Sequence, residues 1–206
     1  MASFDRRSMS VNSYVGVVAL FGATAFVLSA VLDPLARANE GASVPGVVAF
    51  VFIALALQLA EHKLAVGTAT GTIAFIVYMA SALLFGPTWC AVITAVTVTA
   101  AQALNRRAPI KIVFNVSQHV LALVVGTAVY MKLGGPIPPT AIEPAIIPFF
   151  GFVLASFAIN GTAVSGVIAI SEGRRFSEIW IRNTWALAAY DVVASALGLL
   201  VAWLYV

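Results

Sequence analysis

The chain has 206 residues, 62% of them hydrophobic and only 9% charged, with 11 Lys+Arg against 8 Asp+Glu. Soluble domains are about 45–50% apolar and about 25% charged, so this composition argues against a soluble enzyme, a nucleic-acid binder and a disordered segment. One cysteine, Cys90, leaves no internal disulfide and no cysteine-built zinc or iron–sulfur site. The composition is that of an integral membrane protein.

A helix crossing about 30 Å of hydrocarbon needs about 20 mostly apolar residues. In chain order the expected spans are Tyr14–Leu32, ended by Asp33-Pro34, and Val44–Ala60, ended by Glu61-His62-Lys63. Thr70–Phe85 follows, and Gly86-Pro87 turns the chain into Thr88–Leu104. The fifth, Ile110–Met131, stops at the Gly/Pro-rich stretch Gly134–Pro139; Ala145–Ile170 and Asn183–Tyr205 complete the set. Membrane β-strands would show segments of about 10 residues alternating in polarity. These runs are longer and apolar all round. The expectation is one all-α domain over residues 1–206, a polytopic bundle of six to seven transmembrane helices.

Arg6 and Arg7 before the first run, and Ala36-Arg37-Ala38 after it, superficially resemble a signal peptide. The run of about 19 residues is too long for a signal core, so a retained helix is expected. With the N-terminus in the cytoplasm, the inside holds Arg6, Arg7, Lys63, Arg106, Arg107, Lys111, Arg174, Arg175 and Arg182, and the outside only Arg37 and Lys132. That asymmetry predicts the N-in orientation. Seven spans then place the C-terminus outside, with Trp203 and Tyr205 suited to the interface.

Polar residues inside spans are costly and are the first functional candidates. Asn115, Gln118 and His119 share a helix face at i, i+3 and i+4. Asp191 is the only acidic residue well inside an expected span, with His119, Asn115, Gln118 and Asn160 as candidate partners. The same set also reads as hydrogen-bonding glue between helices, at about 0.6–2 kcal/mol per bond. Arg106, Arg107, Lys111, Arg174 and Arg175 are candidates for anionic lipid or cytoplasmic partner contact, or carry the orientation signal alone. Gly67-x-x-x-Gly71 and Gly161-x-x-x-Ser165 suit small-residue helix contacts. Walker, G-x-S-x-G, H-E-x-x-H and dinucleotide motifs are missing. No enzyme activity, metal or cofactor is expected.

The run Asn105-Arg106-Arg107-Ala108-Pro109-Ile110-Lys111-Ile112-Val113-Phe114-Asn115-Val116-Ser117-Gln118 carries a resemblance, closed by Val129-Tyr130 and Gly134-Gly135. Asn160, Glu172-Gly173-Arg174, Trp185 and Asp191 fit the same layout. The pattern resembles the N-terminal multi-pass sensor region of bacterial HD-GYP phosphodiesterases, and of some diguanylate cyclases and histidine kinases. The resemblance covers nearly the whole chain from Tyr14 and implies a sensory module of the bacterial inner membrane. Such a module controls cyclic-di-GMP turnover or phosphotransfer, with the Asn115/Gln118 face as the place for a signal or ligand. The output domain is missing, so the chain is expected to be a fragment or a stand-alone relative whose effector is another polypeptide. The implied partners are the lipid bilayer, a cytoplasmic output domain or protein, and a second copy in a homodimer. Two other readings stay open: the substrate-binding subunit of a vitamin-like transporter, and a structural subunit of a larger membrane complex.

Overall fold

The computed structural model describes the backbone of residues 2–33, 43–60 and 73–206, and their side chains except those of residues 2–9 and 185–191. Every regular element among them is helical: α1 (Ala2–Leu32), α2 (Val44–Ala60), α3 (Ala74–Leu104), α4 (Pro109–Lys132), α5 (Ile146–Glu172) and α6 (Phe176–Tyr205), with a 3₁₀ turn at Glu143–Ala145. α4 is central, packing against α1, α3 and α5, while α3 also meets α2 and α6.

The outside of the bundle identifies its solvent. On α5, Ile147, Phe150 and Leu154 are 76%, 70% and 70% exposed. They form one outward stripe, while Phe149, Phe152 and Ser156 turn inward. Among the described side chains of α1 the buried positions are Val15, Val18, Gly22, Ala25 and Ser29, continued by Asp33 just past its end and spaced three or four apart, and Leu20, Val27 and Val31 point away. Water would not tolerate so much contiguous large apolar surface. A bilayer favours it, and the chain is a membrane helix bundle.

Among the described residues four elements are long and apolar enough to cross a membrane: Ser10–Leu32, Ala74–Leu104, Pro109–Lys132 and Glu143–Glu172. This is fewer than the seven spans expected. Val44–Ala60 counts 17 described residues and adjoins residues 61–72. α6 runs from Phe176 to Tyr205, but the side chains of residues 185–191 fall outside those described, and the part that follows them, Val192–Tyr205, is a shorter apolar helix. The expected third and fourth spans lie in the single element α3, which is broken at Gly86. Residues 61–72, which include the start of the expected third span and Gly67-x-x-x-Gly71, fall outside the described residues.

The break in α3 is a reversal. Gly86 has φ 81° and ψ 178°, a conformation open to glycine and strained for any residue with a Cβ. Pro87 follows, its fixed φ suited to the start of a new helix. The Tyr78 hydroxyl and Thr97 Oγ1 are 2.8 Å apart, whereas a straight helix would separate those residues by about 28 Å. Cys90 Sγ also donates to the Tyr78 carbonyl, at 3.3 Å. Residues 74–85 and 87–104 are therefore two antiparallel arms. The first, about 18 Å long at 1.5 Å per residue, is shorter than about 30 Å of hydrocarbon. Both arms lie deep inside, with Tyr78, Met79, Leu83, Cys90, Ile93 and Val98 fully buried.

Two turns close one end of the bundle. Pro109 begins α4 after the loop at Arg106 (φ 51°). Gly173, at φ 66°, ends α5 in the left-handed conformation that such caps use, and the Arg174 N–H returns to Ala169 O at 3.0 Å.

Candidate functional site

The polar residues of α4 face the interior at mid-height. Gln118 is 2% exposed. The His119 ring stands 6.4 Å, centroid to centroid, from the ring of Tyr78. Antiparallel packing of α4 on α5 is registered by Ser156, whose hydroxyl donates to Ala122 O at 3.1 Å. One turn along each helix brings Gln118 level with Asn160. Asn160 in turn lines a void of about 10 Å³ with Ser195 of α6 and Phe75, Met79, Val153 and Phe157. A space of about 10–15 Å³ on this measure accommodates one water.

Three buried atoms of this layer, Gln118 Oε1, His119 Nδ1 and Asn160 Oδ1, have no hydrogen-bond partner among the described residues. Most buried polar groups in folded proteins are paired, and an orphan costs about 1–3 kcal/mol. Beside the orphans stands a satisfied set. Thr97 Oγ1 donates to Ile93 O at 2.7 Å while meeting the Tyr78 hydroxyl. Ser81 Oγ donates to the Tyr78 carbonyl, also at 2.7 Å. Tyr78 thus joins both arms of α3 to His119 of α4.

Of the five candidates, Gln118, His119 and Asn160 enter this interior layer. Asn115 is half-buried, one turn nearer the Arg106 loop, and joins none of these contacts. The side chain of Asp191 falls outside the described residues, and with it the expected His119–Asp191 contact. The tight helix contact foreseen at Gly161 is open: a Cβ there would meet only Trp180 Nε1, at 4.0 Å. Ser165 instead accepts a 3.3 Å hydrogen bond from Asn183 Nδ2.

Tyr78 and Thr97 are unremarkable residue types inside a span and carry no signal alone, while Cys90, expected to have no disulfide or metal role, is free and buried. The signal was available in the spacing of Cys90, Thr94 and Thr97, which share one face at i, i+4 and i+7. Asn183, at the start of an expected span, was a further missed polar contact.

At the end of the bundle near the Arg106 and Gly173 turns, Arg106, Arg107, Lys111 and Arg175 are exposed. Arg174 is engaged, its guanidinium paired with Glu178 and lying 3.8 Å from Glu172. Among the described residues, three or more His, Cys, Asp or Glu are nowhere gathered in a metal-binding group. A larger cleft, about 590 Å³, runs between α1 and α4 with Asp33 and Lys132 at one end.

No protein-family model, curated protein or solved structure matches this chain.

Proposed function

We propose that this chain is a non-enzymatic sensory and ligand-binding module of the bacterial inner membrane, coupling a signal to a cytoplasmic output carried elsewhere. The observation that carries the reading is the trio of unpartnered atoms on Gln118, His119 and Asn160. Replacing a half-satisfied polar group by an apolar one of similar shape is often neutral or stabilising. A bundle selected for stability alone has little use for three such atoms at one level. A bundle whose layer exchanges partners, or admits a small hydrogen-bonding ligand, requires them. Exposed cations at the Arg106 and Gly173 turns support a cytoplasmic assignment for that end.

The test is complementation. Cells deleted for the chain are expected to show altered cyclic-di-GMP or altered phosphorylation of a partner kinase. Wild type restores the level, and the triple variant Gln118→Met, His119→Phe, Asn160→Leu does not, although it reaches the membrane in equal amount. Full restoration by the triple variant would refute the proposal. Loss of vitamin uptake in the deletion strain, with an ATPase copurifying, would assign the chain to a transporter instead.

A further inference from the structure

The cleft between α1 and α4 lies apart from the polar layer. Its walls are apolar, with Phe21, Ala25 and Leu28 on one side and Leu121, Val125 and Ala128 on the other. We propose that it holds one acyl chain of an anionic glycerophospholipid, with the lipid phosphate against Lys132. Three observations fix this occupant.

The volume, about 590 Å³, falls within the range of about 300–1,000 Å³ typical of small-molecule sites. On α1 the cleft extends from Phe21 to Leu32, about 17 Å at 1.5 Å per residue. Half of a hydrocarbon core of about 30 Å is about 15 Å, so the cleft runs the depth of one leaflet. Charge then sets the headgroup. Lys132 is exposed in the last turn of α4 and makes no ion pair among the described residues. Asp33 is 3% exposed, and its Oδ2 accepts the Thr88 N–H at 3.3 Å. Among the described residues the accessible charge at the mouth is therefore the ammonium. A slot one leaflet deep that ends in a cation complements an acidic lipid. A helix from a second copy laid over it would leave Lys132 without a counter-charge.

The full chain, purified and delipidated in detergent, is incubated with equimolar phosphatidylglycerol and phosphatidylcholine and read by native mass spectrometry. The signal is the lipid that filling the cleft displaces, which separates this site from the arginine-rich end. Ala128→Trp fills the cleft from an exposed position; Val125→Phe is the second filling variant should the first not insert. Wild type is expected to retain one phosphatidylglycerol, favoured about fivefold over phosphatidylcholine, as one near-surface lysine supplies. Lys132→Gln brings the two lipids to near parity, and the filling variants lose both. Retention unchanged on filling, or a preference unchanged in Lys132→Gln, overturns the assignment. So does a dimer cross-linked through Leu28→Cys that persists whatever the lipid.

Discussion

Gly22 lies on the buried stripe of α1, and a Cβ built there would stand 2.6 Å from the Ser117 carbonyl oxygen and 2.9 Å from Ser117 Cα. Both atoms belong to the backbone of α4, which cannot swing aside as a side chain would. Gly22→Val must push two helices apart. Gly16, on the same helix, has nothing within 4 Å of its notional Cβ, so Gly16→Val controls for helix propensity and lipid exposure. Overpacking a closed contact costs about 1–3 kcal/mol. Strain shared by two backbones places Gly22→Val in the upper half of that range, a factor of about 30 to 150 in the folding equilibrium. Cys90 is free and fully buried, so its modification by a maleimide across an SDS titration reports unfolding. The Gly22→Val midpoint should fall well below that of Gly16→Val. Coincident midpoints would show that α1 and α4 do not touch at this point.

Gly86→Ala forces a Cβ into φ 81°, ψ 178°, at a cost of about 1–3 kcal/mol, and should speed maleimide labelling of Cys90 without denaturant; unchanged labelling would refute the reversal. Tyr78→Phe and Thr97→Val should each lower stability by about 0.5–1.5 kcal/mol. Their double-mutant cycle should couple within the range of about 0.6–1.7 kcal/mol found for membrane hydrogen bonds, and additivity would deny the 2.8 Å contact. Gln118→Met and Asn160→Leu should leave the unfolding midpoint unchanged or raise it, because each removes an orphaned acceptor. A fall of about 1 kcal/mol or more in either would show a partnered group, the glue reading of these residues.

Helix positions followed from hydropathy where one helix is one apolar run. The fifth expected span, Ile110–Met131, differs by one residue at each end from Pro109–Lys132, and the Gly86-Pro87 turn was marked by its two residue types. Hydropathy failed where helix and apolar run diverge. α6 begins at Phe176, seven residues before the expected Asn183, because Glu178 and Arg182 suit a helix although they do not suit hydrocarbon. For the site, residue types were legible and pairings were not. Polar residues within spans identified Gln118, His119 and Asn160. That His119 meets Tyr78, or that Gly22 rather than Gly161 makes the close approach, depends on which faces of distant helices converge.

Tyr78 connects the reversal in α3 to the polar layer. Its carbonyl accepts from Ser81 and Cys90, its hydroxyl meets Thr97, and its ring faces His119. Residues 74–85 form a short arm, tied at one end by the Gly86 turn, and their displacement along the second arm would break the Cys90 and Thr97 contacts together. It would also withdraw the aromatic wall from His119, and Phe75 and Met79 from the void at Asn160. Groups packed on one short rigid segment have discrete arrangements rather than a continuum, because close-packed interiors do not deform smoothly. The unpaired atoms of Gln118, His119 and Asn160 would then gain or lose partners in the same step. On the proposed sensory reading, and in a membrane where no bulk water compensates an open polar group, that exchange is the step a signal would bias.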